Sequence, residues 1–148
     1  EAIDYLLGSR EVGENVAVIG GGLTGCEIAY DLYLKGKHPT IIEMQDDLIT
    51  TKGICLANTS YLRDFFKTNK VPVFLETSLS QIKPGSVELI DKTGKPFALP
   101  ADSVIMSVGY TPAPIAAKGR HIHVIGDAAK VGNLRTVIWG AWDVCMKL

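Results

Sequence analysis

Apolar positions along this chain follow three patterns, and the points where one gives way to another divide it into parts. Over the first half, short continuous apolar runs alternate with stretches whose apolar residues recur at three and four. Runs of the first kind predict buried strands, and the second spacing predicts helices with one face on a core. Ala2, Ile3, Leu6 and Leu7 predict a short helix that Gly8 and Ser9 close. Residues 15–19 (Asn-Val-Ala-Val-Ile) predict a strand. Residues 23–34 predict a helix that turns Ile28, Ala29 and Leu32 to one side and stops at Gly36. A second strand is expected at residues 40–43, a second helix at residues 53–68 with Ile54, Tyr61, Leu62, Phe65 and Phe66 on one side, and a third strand at residues 71–75. A strand, a helix and a strand in about 30 residues require a right-handed parallel crossover.

From Ser78 the period drops to two. Residues 78–82, 86–90 and 96–99 alternate and are separated by Pro84-Gly85 and by Lys92-Thr93-Gly94, which predicts an antiparallel meander. Residues 102–108 return to a continuous apolar run, the mark of a strand buried on both faces. Thr111-Pro112-Ala113-Pro114 is a stiff exit. A last strand is expected at residues 121–125, ending in Gly126-Asp127, and a last helix at residues 134–148. The expected architecture is α/β, with a parallel sheet in the order third, second, first, return strand and a three-stranded meander over one face.

Composition narrows this picture mainly by exclusion. The chain has 148 residues, 47% of them apolar, which suits a folded domain with its own core. A net charge of −1 gives no electrostatic reason to expect a nucleic-acid or membrane partner. No apolar run approaches the roughly 18 residues of a bilayer span. The first residues, Glu-Ala-Ile-Asp-Tyr, lack the basic-then-apolar order of a signal peptide. Cys26, Cys55 and Cys145 are odd in number and have no C-x-x-C spacing, so neither a disulfide framework nor a metal site is expected, and a cytoplasmic setting is.

The candidate chemistry lies at the end of the first strand. Gly20, Gly22 and Gly25 have the G-x-G-x-x-G spacing, between a buried strand and a helix. In that reading Gly20 permits the tight turn, Gly22 lets a pyrophosphate approach the backbone, and Gly25 lets the helix pack closely on the strand. The helix start offers free N–H groups to phosphates. The same turn would also serve a strand-to-helix connection that binds nothing. Glu43 weighs against that alternative, because it ends the second strand about 20 residues on, where the fingerprint places an acid for the adenosine ribose. Asp46 and Asp47 follow it with no arginine beside them, a poor setting for a 2′-phosphate. Three other patterns are expected to be incidental. Tyr33 and Lys37 match Y-x-x-x-K but fall too early in the chain for a proton-transfer pair. His121 and His123 have no third ligand nearby. Trp139 and Trp142, three apart, are expected to pack on a core, the alternative being a surface meant for a further domain. No catalytic residue is identified.

Strand, G-x-G-x-x-G-x-E, acid-ended strand, helix, meander, Val108-Gly109-Tyr110-Thr111-Pro112 and then Val124-Ile125-Gly126-Asp127-Ala128 together resemble the pyridine-nucleotide domain of flavoprotein reductases with two dinucleotide-binding domains. The sequence is most similar to the C-terminal region of NADH:flavin oxidoreductases related to 2,4-dienoyl-CoA reductase and 2-enoate reductase, which carry an old-yellow-enzyme-like barrel ahead of it. The resemblance implies the FAD/NAD(P)-binding domain fold, a Rossmann-like parallel sheet with flanking helices and a meander. It implies that Gly20, Gly22, Leu23, Thr24 and Gly25 hold the NADH pyrophosphate. It also puts Glu27 near nicotinamide and flavin, Glu43 on the adenosine ribose, Gly109 in the cofactor region, and Gly126 and Asp127 at the ribityl chain of FAD.

The sequence departs from the family in two respects, a short connector from Pro112 to His121 and the number of glycine fingerprints. Such enzymes have two glycine fingerprints, one for FAD and one for NADH, and this sequence has one. The expectation is therefore a lead-in at residues 1–14, an NAD(H)-binding domain at 15–112, and at 113–148 the closing strand and helix of an FAD-binding domain. The remaining flavin and barrel domains would be partners within a larger protein. The expected function is hydride transfer from NADH to FAD feeding an enoate- or enoyl-type reductase, inactive as this chain alone. The other reading kept open is a stand-alone nucleotide-binding module that senses rather than turns over.

Overall fold

In the computed structural model, which describes residues 1–148, the contacts divide the chain into two units, Glu1–Val108 and Gly109–Leu148.

The first unit is built on a parallel sheet of β1 (Asn15–Ile19), β2 (His38–Ile42), β3 (Val73–Phe74) and β7 (Ser103–Met106), in the order β3-β2-β1-β7. Both crossovers carry a helix: α2 (Leu23–Leu34) after β1 and α3 (Leu56–Thr68) after β2, with α1 (Ala2–Leu6) preceding the sheet. β1 has strands on both sides, Val16 aligning with Pro39 and with Ser103, and Ile19 with Ile42 and with Met106. A strand so placed is buried on both faces, which explains its unbroken apolar run. Its alternate side chains serve different layers. Val16 and Val18 join Ile41, Ile105, Ile28, Ala29, Leu32, Leu62 and Phe66 in the core under the helices. Ala17 and Ile19 join Ile42, Val87, Leu89 and Ala101 in a second core under the meander.

That meander is β4 (Ser78–Lys83), β5 (Ser86–Ile90) and β6 (Pro96–Pro100), antiparallel in that order. Val87 and Leu89 are fully buried from the middle strand, flanked by Leu79, Phe97 and Leu99. The sheet order and the meander's position agree with the sequence pattern. Some boundaries move for local reasons. α3 starts at Leu56 rather than residue 53, because Gly53 has φ +85° and Cys55 is extended at the N-cap. β3 shrinks to two residues: Pro72 accepts a bond from Ile41 but has no N–H to return. β2 begins earlier, at His38, whose N–H reaches Glu14, and it ends one residue before Glu43.

The second unit contains one 3₁₀ turn at Gly126–Ala128 and α4 (Leu134–Cys145). The strand expected at residues 121–125 is not formed. Ile122 makes an isolated bridge with Gly119, and no ladder extends from it. A run of apolar residues signals burial, but a strand also needs a partner backbone alongside. α4 is capped by Asn133, whose side chain accepts from the Thr136 N–H while the Thr136 hydroxyl accepts from the Asn133 N–H. Val137, Ala141 and Val144 are half-buried. Trp139 and Trp142, expected to pack, are each 56% exposed. No helix in either unit is long and apolar enough to cross a membrane.

Candidate functional site: the glycine turn and the loop behind it

The turn leaving β1 is fixed by backbone bonds to both neighbouring strands. The Gly20 N–H donates to the Ile42 carbonyl at 2.8 Å, and the Ser107 N–H to the Ile19 carbonyl at 2.7 Å. Gly20 has φ +106°, and a Cβ there would lie 2.2 Å from the Ser107 carbonyl oxygen. A Cβ on Gly25 would lie 1.9 Å from the Gly20 carbonyl oxygen. These two glycines are needed for the chain to close on itself. At Gly22 a Cβ would meet nothing within 4 Å. Gly22 is the extended N-cap of α2 and supplies no side-chain cap, so the N–H groups of Leu23, Thr24 and Gly25 open the helix without intrahelical partners. The first helical bond is Cys26 N–H to Gly22 carbonyl, at 3.0 Å.

Glu43 sits just past β2, its N–H bonded to the Phe74 carbonyl at 2.8 Å. One carboxylate oxygen accepts from the Gly21 N–H at 2.6 Å and the other from the Gln45 N–H at 2.8 Å. A carboxylate has about four lone-pair sites, so two bonds fix its orientation and leave acceptors for a ligand hydroxyl. Gly21, a free position in the fingerprint, is closely confined here. A Cβ on it would fall 2.5 Å from Leu48 Cδ2 and 3.0 Å from Glu43 Cβ. Its carbonyl accepts from the Ile49 N–H at 2.8 Å and from the Cys26 thiol at 3.4 Å. Burial pushes that thiol's pKa up to about 12, so Cys26 is a neutral, inert packing group.

The loop after Glu43 is anchored from a place the sequence does not suggest. Arg63, on α3, donates Nε–H to Asp47 Oδ1 at 3.2 Å and Nη2–H to Asp47 Oδ2 at 2.9 Å. It also donates to the Leu48 carbonyl. That carbonyl and the Ile49 N–H belong to one peptide group, which is therefore held between Arg63 on one side and Gly21 on the other. Ile49 sits at φ +51°, a costly conformation for a β-branched residue, and the two anchors keep it there. The arginine beside Asp47 also draws its carboxyl below the ordinary value. The expectation that no arginine stands near Asp46 and Asp47 is thus corrected: one arrives from 16 residues on, and Asp47 is already paired with it. Only proximity in the fold could have shown this, since α3 carries Arg63 back over the loop.

Of the other expected site residues, Glu27 is exposed on α2. Gly109, Gly126 and Asp127 lie in the second unit. Gly109 is exposed at φ +100°. Gly126 has φ +59°, and a Cβ there would meet Val137 Cγ2 at 3.1 Å. The Asp127 carboxylate accepts from the Gly132 N–H at 3.0 Å. The Tyr33–Lys37 pair is structural: Tyr33 donates to Asn69, and Lys37 bonds the Val12 and Gly13 carbonyls.

A dinucleotide fits what is present. There is open volume above Gly22 that a side chain would fill, unbonded N–H groups at a helix start, and an oriented carboxylate at the end of the adjacent strand. Fold and turn together define a Rossmann-type nucleotide-binding α/β domain. The chain belongs to the pyridine nucleotide-disulphide oxidoreductase family, whose model matches residues 3–137. FAD and NAD(H) are the cofactors of that family of oxidoreductases. It is 36% identical to the cinnamate reductase of Clostridium sporogenes over 99% of its own length and 23% of the relative's. It is 31% identical to the NADH oxidase of Thermoanaerobacter brockii over 100% of its own length and 24% of the relative's. The chain thus spans about a quarter of these proteins. Among solved structures, 2-naphthoyl-CoA reductase superimposes with a TM-score of 0.84 over 99% of this chain and 23% of its own, at 24% identity.

Proposed function

We propose that this chain is the NAD(H)-binding portion of a flavin-dependent oxidoreductase in which NADH reduces FAD and the electrons go on to an enoate- or enoyl-type substrate at a further domain. The observation that carries the reading is the locked pair of Gly21 and Glu43, which sets a carboxylate beside the glycine turn. In this reading the N–H groups of Leu23, Thr24 and Gly25 hold the coenzyme pyrophosphate and the open space at Gly22 admits it. Glu43 receives the adenosine ribose hydroxyls, which selects NADH over NADPH, and Glu27 lies toward the nicotinamide end. NADH, when bound, supplies the hydride. The chain's own residues orient it and neutralise its phosphates.

The cinnamate reductase and NADH oxidase names among the relatives support the enoate and NADH assignments. Residues 15–112 are assigned to NAD(H). Residues 113–148 are assigned to the end of a flavin domain, with Gly109, Gly126 and Asp127 serving FAD. Residues 1–14 are a lead-in from a preceding domain. One glycine cradle in this sequence implies that further domains of a larger protein supply the second, and that this chain alone holds no FAD tightly and turns over no substrate.

The test is a binding titration of NADH and NADPH into the chain and into Glu43→Ala. The expected result is NADH preference in the parent and a loss of that preference, by about tenfold or more, in the variant, since a charge-assisted bond is worth about 1.5–3 kcal/mol. A parent that prefers NADPH, or a variant with an unchanged ratio, would refute the role of Glu43.

A further inference from the structure

We propose that the Asp47–Arg63 ion pair determines coenzyme selectivity: Asp47 cancels the cation that α3 holds against the loop behind the adenosine site and so denies it to a 2′-phosphate. The inference rests on the assignment of the glycine turn and Glu43 to the coenzyme. It adds residues that the fingerprint does not contain.

The geometry places Arg63 there. Its guanidinium holds the Leu48 carbonyl, and the Leu48 side chain is the group that confines Gly21. The N–H of that same Gly21 is 2.6 Å from the Glu43 carboxylate. Only three residues separate Glu43 from Asp47, and both ends are pinned, one to Gly21 and the other to Arg63.

The charge balance makes the pair decisive. Glu43, Asp46 and Asp47 contribute three carboxylates to the loop and its approach; Arg63 is the cation paired to Asp47, while Lys92 is already paired with Glu76, whose N–H bonds the Gln45 carbonyl. Asp47 takes both the Nε and Nη2 donors of Arg63 in a two-point contact. Asp47 itself is held for that contact, because its Oδ1 also accepts from the Leu48 N–H at 2.8 Å. The Arg63 side chain is about one-third exposed, so it is not sealed from solvent or from a ligand. A 2′-phosphate carries nearly two negative charges and is bound best by just such a planar donor.

Asp47→Asn removes the counter-charge and leaves an amide oxygen to accept from the Leu48 N–H. The expected result is a rise of at least fivefold in the ratio of NADPH to NADH affinity, measured by calorimetric titration of the full chain at low ionic strength. The rise should shrink as salt is added. In the double variant, Asp47→Asn with Arg63→Gln, the gain should disappear, because the receiving cation is gone. A melting curve for each variant controls for folding. A ratio within twofold of the parent in a folded Asp47→Asn chain would overturn the proposal and leave the glycine-turn reading standing. A gain that persists in the double variant would overturn the role of Arg63. A folded parent that binds neither coenzyme would overturn both this proposal and the reading beneath it.

Discussion

Gly20, Gly22 and Gly25 look equivalent in the sequence, yet the structure assigns them different costs. A Cβ on Gly20 lands 2.2 Å from the Ser107 carbonyl oxygen at φ +106°. Backbone strain of that kind costs about 1–3 kcal/mol, and overpacking costs a similar amount again. Gly20→Ala is therefore expected to lose about 3 kcal/mol or more, which for a chain of this size lowers the melting temperature by roughly 6–12 °C. Gly25→Ala, with a carbon 1.9 Å from the Gly20 carbonyl oxygen, should fall in the same range. At Gly22 a Cβ meets nothing within 4 Å and the backbone is extended, so the stability cost of Gly22→Val is expected to be about 1 kcal/mol, from the poorer N-cap. Its effect should appear in binding. A branched side chain over the helix start denies a pyrophosphate at least two charge-assisted bonds, about 3–6 kcal/mol, or about 10² to 10⁴ in affinity. Thermal melts followed by circular dichroism, together with NADH titration, separate the two effects. A Gly22→Val chain that folds and binds NADH like the parent would refute the assignment of the turn, and a Gly20→Ala chain that melts with the parent would refute the packing argument.

Two further outcomes follow from the side chains around the site and the sheet. Because burial pushes Cys26 up to about 12 while Cys55 and Cys145 are exposed, brief alkylation of the native chain at pH 8 should modify two thiols, with the third reacting only after denaturation; rapid labelling of the Cys26 peptide in the native chain would contradict this. The Asp102 carboxyl is drawn below its ordinary value by the Asn15 backbone N–H, then by the Asn15 side chain. Its stabilising effect is present above the unfolded value near pH 3.9 and is lost as pH falls through the lower folded one, so Asp102→Asn should flatten the acid limb of a melting-temperature profile below about pH 4, and an unchanged limb would show that the contact is idle.

The sheet could be read from the sequence because its determinants are periodic and local. Val16 to Ile19 are apolar without a break because neighbours on both sides and layers on both faces bury them. The alternation from Ser78 onward marks a sheet that turns one side inward, and Val87 and Leu89 are that side. Boundaries shifted where a backbone special overrode the pattern, as Gly53 did at the start of α3 and Pro72 at the start of β3. The residues 121–125 fail differently. His-Ile-His-Val-Ile has β-branched residues in alternation, but that pattern describes only one side of a strand pair. Within its own unit Ile122 finds only Gly119.

The site divides along the same line. Its glycines and Glu43 stand out in the sequence because their types and spacing along the first crossover form a pattern. Gly21 and Arg63 could not, because their roles come from contacts between elements. Gly21 has its N–H on Glu43, its carbonyl under Ile49 and Cys26, and Leu48 against its α-carbon. A Cβ there would push against the Leu48 side chain and the Cβ of Glu43. Arg63 closes that arrangement from the far side of the Leu48–Ile49 peptide. An ordinary loop would let that peptide rotate and relieve the φ of +51° at Ile49. Here rotation would break the Gly21 bond and the Arg63 bond together. The position of the carboxylate beside the glycine turn thus depends on a residue of α3 that no motif of the first crossover includes.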